Sequence, residues 1–139
     1  MNKEITYDIQ LTANFKLSEF INSSVAKKKK IKEQYNITLN IVKNIYELTT
    51  HILQPLRNKI GQVIITSGYR CYQLNVKVGG VDNSQHLVGA AADIKVNNLN
   101  QAINVQKSYE FDQLVVYPTF LHVSYKNTRL RKQIIDRRI

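Results

Sequence analysis

Between Ile41 and Leu56 the large apolar residues Ile41, Ile45, Leu48, Ile52 and Leu56 recur at intervals of four, three, four and four. A helix of about 3.6 residues per turn gathers such a series into one stripe, and the stripe has to be buried against another element. The predicted helix runs through "ITLNIVKNIYELTTHILQPLRNKIG", breaks or kinks near Pro55, whose nitrogen carries no hydrogen to donate, and closes at Gly61.

After Gly61 the period changes. "QVIIT" is a short β-branched run, "AADIKV" a second predicted strand, and "FDQLVVY" and "FLHVSYK" two more, joined by a turn at Pro118 and Thr119. "NNLNQAINVQKSY" holds a short helix, and "NFKLSEFINSSVAKK" another, with Asn14 as N-cap and Phe15, Leu17, Phe20, Ile21 and Val25 on one side. The expected fold class is α+β, with N-terminal helices packed on a small, mainly antiparallel sheet. A length of 139 residues suits a single domain, 1–139, with a basic tail from about 126.

Composition narrows the function classes. No apolar run reaches the roughly 18 residues a membrane span needs. "MNKEITYDIQ" lacks the basic, apolar and small-residue regions of a secretory signal, so work outside the cytoplasm would require delivery by something else. Cys71 is the one cysteine, which excludes an intrachain disulfide and a cysteine zinc cluster. The formal charge of +10 gathers in "KKKKIK" (Lys27 to Lys32) and "RLRKQIIDRR" (Arg129 to Arg138). Two readings stay open for these clusters: a solvated basic face, or contact with a polyanion such as nucleic acid, teichoic acid or a capsid lumen. The richness in Ile, Asn and Lys matches an AT-rich coding bias, which accounts for part of the charge without function.

In "ADIKV" Asp93 and Lys95 share one face and Ile94 and Val96 the other; in "LHVSY" His122 and Ser124 lie opposite Leu121, Val123 and Tyr125. His86 sits on the loop leading into the first of these strands. Two imidazoles and a carboxylate suit a catalytic zinc, because three protein ligands leave a fourth position open. Spacing alone also allows ordinary loop and strand histidines. His51, beside the apolar stripe of the long helix, reads as a structural histidine.

The run "ITSGYRCYQLNVKVGGVDNSQHLVGAAADI", followed by "FDQL" and "HVSY", resembles the D-alanyl-D-alanine carboxypeptidase-type zinc peptidases. That group includes VanX- and VanY-like enzymes and many phage endolysins, and the likeness is greatest to its phage and bacterial branch. It extends from "NFKLSEFINS" to "HVSY". The resemblance implies a hedgehog/DD-peptidase-like fold and one Zn²⁺ bound by His86, Asp93 and His122. It places Arg70 of "SGYR" beside the metal, to stabilise an oxyanion or hold a substrate carboxylate; a salt bridge tying down the loop is the alternative for Arg70. Ser67, Tyr69, Asn75, Ser84 and Gln85 would shape the loop and support the ligands, and Tyr117, Thr119 and Ser124 flank His122 at the site. Gly68, Gly79, Gly80 and Gly89 would serve backbone geometry, and the ligand set is complete without Cys71. The implied partner is a peptidoglycan stem peptide, and the implied setting a phage virion or the host cell envelope after delivery, with other virion proteins or a polyanion meeting the basic segments.

One element of the resemblance is missing. In such enzymes an acidic residue shortly before the last histidine moves the proton in amide hydrolysis. Here Gln113 to Leu121 reads "QLVVYPTFL", with Tyr117 at the strand end where the acid is expected and Thr119 three before His122. A hydroxyl is a poor base near neutral pH and a phenol ordinarily ionises near pH ~10. Asp112 belongs to the "FDQL" element and is expected to be structural. Two functions therefore follow: a zinc peptidase acting on stem peptides, or a catalytically impaired peptidase fold serving as a structural or binding component of a phage virion.

Overall fold

The computed structural model describes residues 9–138; most of the "MNKEITYDIQ" segment, read above as lacking a secretory signal, lies outside them. β1 (Gln10–Thr12) and β2 (Phe15–Lys16) make a small antiparallel pair, followed by two short helices, α1 (Ser18–Ile21) and α2 (Ser24–Lys28). The single helix expected from Asn14 is thus divided. The chain turns extended at Asn22, and Ser23 starts α2 by accepting a hydrogen bond from the Ala26 N–H at 3.1 Å. Asn14 caps neither helix; it is held to Gln54 through its backbone N–H (2.9 Å) and its Oδ1 (2.8 Å). Phe15, Leu17, Phe20 and Ile21 are buried as the spacing requires, and Val25 packs on the same core half-buried.

Thr38 opens the long helical segment, its side chain accepting from the Ile41 N–H at 3.3 Å. α3 (Leu39–Leu48) passes through a π-turn at Thr49–Leu53 into α4 (Gln54–Ile60). The irregularity lies immediately before Pro55, where the missing N–H interrupts the i to i−4 ladder. Gly61 ends α4 at φ 88°, a left-handed conformation that favours glycine. Ile45, Leu48, Ile52 and Leu56 are fully buried.

The main sheet contains β3 (Val63–Ser67), β4 (Ala91–Val96), β5 (Gln113–Val116), β6 (Leu121–Ser124) and β7 (Gln133–Asp136), in the order β3-β4-β6-β5-β7. The first three pairings are antiparallel and β5–β7 is parallel, so the sheet is mixed. β7 is the feature that charge hid, since it lies inside the basic C-terminal segment. α5 (Tyr72–Lys77) and a 3₁₀ turn at Gln85–Val88 structure the long β3–β4 connection, and α6 (Leu99–Gln106) joins β4 to β5.

Strand alternation then decides where the site lies. Ala92 and Ile94 of β4, Leu114 and Val116 of β5, and Leu121 and Val123 of β6 belong to the core cluster with Leu48, Ile52, Leu53, Leu56 and Phe111. Each of these side chains larger than alanine contributes about 1.5–3 kcal/mol by leaving water. The intervening residues face away from the helices. Among the described residues no helix is long and apolar enough to cross a membrane.

Candidate metal centre

The register of the sheet assembles one row across all five strands: Ser67 stands opposite Asp93, Asp93 opposite His122, His122 opposite Val115, and Val115 opposite Ile135. Opposed residues share a face, so Asp93 and His122 meet side by side on the face away from the core. Asp93 Oδ1 is 2.9 Å from His122 Nδ1. The third residue comes from the 3₁₀ turn. Ser84 Oγ caps that turn by accepting from the His86 N–H at 3.2 Å, and the His86 carbonyl accepts from the Arg70 N–H at 3.0 Å.

His86 is buried, and its orientation is fixed by a 2.6 Å contact between Nδ1 and the Gly68 carbonyl. A carbonyl only accepts, so Nδ1 carries the proton and Nε2 presents a lone pair. Gly68 is required there, because a Cβ would lie 2.6 Å from the Phe20 carbonyl oxygen. His86 Nε2 faces Asp93 Oδ1 at 3.3 Å yet has no hydrogen-bond partner. The buried Nε2 and the half-buried Asp93 carboxylate oxygen form an arrangement that a cation seated between them would satisfy. Their separation matches the edge of a tetrahedron built on metal–nitrogen and metal–oxygen bonds of about 2.0–2.2 Å, and the ligand atoms of His86, Asp93 and His122 all lie within 4.8 Å of one another. Burial works to raise the Asp93 pKa, but the His122 and His86 imidazoles beside it hold the carboxyl far below the usual range. The set fits a zinc ion.

Arg70 is held over this cluster by a residue that sequence reading missed. The fully buried Gln34 donates to the Tyr69 carbonyl (2.8 Å) and the Ile21 carbonyl (2.8 Å), and its Oε1 accepts from the Cys71 N–H (2.9 Å). Gln34 therefore grips the backbone on both sides of Arg70; nothing in the pattern around "KEQY" signals this, because its burial depends on contacts distant in sequence. Arg70 makes no salt bridge among the described residues, and its Nε is buried without a partner. Burial lowers its pKa and the Asp93 charge opposes that shift, while a guanidinium stays protonated in either case.

A cleft of about 360 Å³ opens on the ligands, lined by Arg70, His86, Asp93, His122, Tyr117 and Arg137 among others. It continues past Arg70 and Asp93 into a hollow of about 290 Å³ bordered by Asn22, Ser24 and Ser67. In the other direction, past Ser84, Gln113 and His122, it meets one of about 310 Å³ bordered by Arg129 and Arg131. Asp93 is the one carboxylate among the residues lining the central cleft. A larger cavity of about 500 Å³ near Asn44 and Tyr125 contains none of the three ligands.

The remaining sequence-selected residues fall in different places. Tyr117 lines the cleft, stacked on Phe120 at 4.5 Å. Thr119 lies on the exposed turn, outside the residues lining the cleft. Ser124 is buried, its Oγ accepting from the Gln113 N–H at 3.0 Å. Asn75, also buried, donates to the Val81 carbonyl at 2.8 Å and so shapes the loop before Ser84. Burial, with Cys71 and Glu33 nearby, pushes the Tyr69 phenol up to about 12. Gln85 donates to Asp112 Oδ2 at 2.8 Å. Asp112 is itself buried and clasped by Arg131 at 2.6 and 3.0 Å, which makes it a structural carboxylate linking the metal loop to the C-terminal segment. Cys71 is buried, and its Sγ caps α5 by accepting from Leu74 N–H at 3.4 Å; burial pushes its thiol pKa up. His51 stacks on Tyr125 at 4.5 Å, away from the cleft.

An α+β fold that brings Asp93 and His122 of the sheet together with His86 of the preceding turn in an open cleft defines a candidate site for one metal ion. The peptidase M15 family profile matches residues 13–124, and the chain belongs to that family. M15 peptidases are zinc-dependent, in agreement with the ligand set. No curated protein matches the chain.

Proposed function

We propose that this chain is a phage-encoded zinc peptidase of the D-Ala-D-Ala carboxypeptidase type, acting on peptidoglycan stem peptides. The observation that carries the reading is the convergence of the buried His86 Nε2 on Asp93 Oδ1 at 3.3 Å, with His122 beside them, in a chain of the M15 family. His86, Asp93 and His122 would hold Zn²⁺, which when bound supplies Lewis acidity toward a peptide carbonyl and acidifies water. The protein's own groups do the rest. Gly68 fixes the His86 tautomer, Arg70 offers a desolvated guanidinium to the developing oxyanion, and the cleft receives an extended peptide on both sides of the ligands. Setting and delivery follow the family resemblance: a phage virion, or the host cell envelope after delivery.

A second reading has its own support. With Asp93 engaged at the ligand cluster, the central cleft has no carboxylate left to take and return a proton. Losing a general base costs about 10²–10⁴-fold in rate. That supports a catalytically impaired fold serving as a binding or structural part of a virion, with neighbouring proteins or a polyanion meeting the exposed lysines at 27–30.

Digestion of purified peptidoglycan by the full chain separates the two. The peptidase reading expects new peptide amino termini, abolished by a chelator and by His86→Ala. One zinc per chain with no new termini would overturn it and leave the second reading.

A further inference from the structure

We propose that Arg137, the residue that follows β7, is a substrate-binding residue that recognises a carboxylate of the peptide to one side of the bond attacked. The proposal rests on the peptidase reading of the cleft and names the chemistry of what enters it. β7 lies beyond the region matched by the family profile, which ends at residue 124. Ile135 of β7 and the following Arg137 nevertheless form part of the cleft wall.

Strand geometry explains why these two residues face the ligands. Ile135 pairs with Val115, which pairs with His122, so Ile135 is on the metal-site face; Arg137, two residues on, takes the same face. The Arg137 N–H donates to the Val116 carbonyl at 2.7 Å, which seats the backbone firmly beside β5. β7 is two strands from β6, so the Arg137 and His122 Cα atoms are about 12 Å apart, allowing for one step along the strand. An arginine side chain crosses much of that gap. The anion it would meet lies about one to two extended residues from the ligands.

Of the basic residues from Arg129 to Arg138, Arg129 and Arg137 make no ion pair among the described residues, and of these two Arg137 lines the central cleft. Arg131, Lys132 and Arg138 are each paired, with Asp112, Glu110 and Asp136 respectively. The groove is also asymmetric. Beyond Arg70 and Asp93 it is bordered by neutral groups such as Asn22, Ser24, Thr66 and Ser67, whereas the β7 side carries Arg129, Arg131 and Arg137. A peptide with a free carboxylate is therefore oriented with that group toward β7, between an apolar wall of Val115 and Ile135 and the planar guanidinium, which grips a carboxylate through two parallel hydrogen bonds.

The test uses zinc-loaded full chain and two synthetic stem pentapeptides ending in D-Ala-D-Ala, one with free carboxylates and one with every carboxylate converted to carboxamide. Binding is measured by calorimetry, independently of turnover. Wild type is expected to favour the carboxylate form by about tenfold, the scale of one charge-assisted contact. Arg137→Gln should lose that preference while binding the carboxamide form as wild type does, Arg137→Lys should keep part of it, and Arg138→Gln should keep it whole. Equal binding of both peptides by wild type, no binding of either, or a preference that survives Arg137→Gln would overturn the proposal. A preference without release of peptide ends would break the peptidase reading alone.

Discussion

The two sides of the central cleft differ in how fully they are specified. On the side of the candidate ligands each residue is fixed through an atom other than the one it presents, or through its backbone: Gly68 holds His86 Nδ1, the β4–β6 register sets Asp93 against His122, and Gln34 grips the backbone around Arg70. On the opposite side, from Gln113 to Leu121, the chain supplies Tyr117 and Phe120 and no carboxylate. The difference teaches that the geometry for a metal and the means to move a proton are separate properties of this fold. The first is built from buried geometry that several elements share, whereas the second hangs on the identity of one side chain.

The largest effect expected comes from supplying the missing group. Tyr117→Glu puts a carboxylate at the strand end lining the cleft, and should raise the rate of stem-peptide cleavage by about 10²–10⁴-fold. Release of new amino termini, measured at equal zinc content, checks it. A rate unchanged by the substitution would mean that the base side was complete already, and the contrast between the two sides would fail.

A smaller effect concerns the link between them. Arg131→Ala leaves Asp112 buried with Gln85 and a long 3.4 Å contact from the Arg131 N–H as its remaining hydrogen-bond donors. The expected outcome is a loss of stability, read as a lower urea midpoint, because the buried Asp112 carboxylate loses its two strongest donors. Burial works to raise the Asp112 pKa, but Arg131 and Gln85 outweigh it and hold the carboxyl below its ordinary value. A depressed carboxyl stabilises the fold above its unfolded pKa of about 3.9 and loses that contribution as pH falls through the lower folded value. The difference between wild type and Arg131→Ala should therefore be constant from about pH 5 to 8 and shrink only in stronger acid. A difference that vanishes near neutral pH would show that the pair is not what secures β7.

The same contrast runs through what the sequence made legible. The helical stripe and the strands "AADIKV" and "LHVSY" were readable because each places its apolar residues at a regular period; β4 spans Ala91–Val96 as expected. The three candidate ligands, which the structure brings within 4.8 Å of one another, stood out because Asp93 and His122 are polar residues on otherwise apolar strands, and because of the family resemblance. β7 was hidden because its two isoleucines sit among arginines and its parallel pairing to β5 is non-local. The division of the first helix at Asn22 and the burial of Gln34 depend on packing that no local pattern encodes.

The central claim, that His86, Asp93 and His122 form the metal centre, is tested most directly by titrating Zn²⁺ into chelator-stripped full chain. The account predicts one ion per chain for wild type and an affinity lower by more than about 100-fold in His86→Ala, since even residues that merely support ligands contribute about 10–100-fold. Zinc binding that is absent from the wild type, or unchanged in His86→Ala, would contradict it.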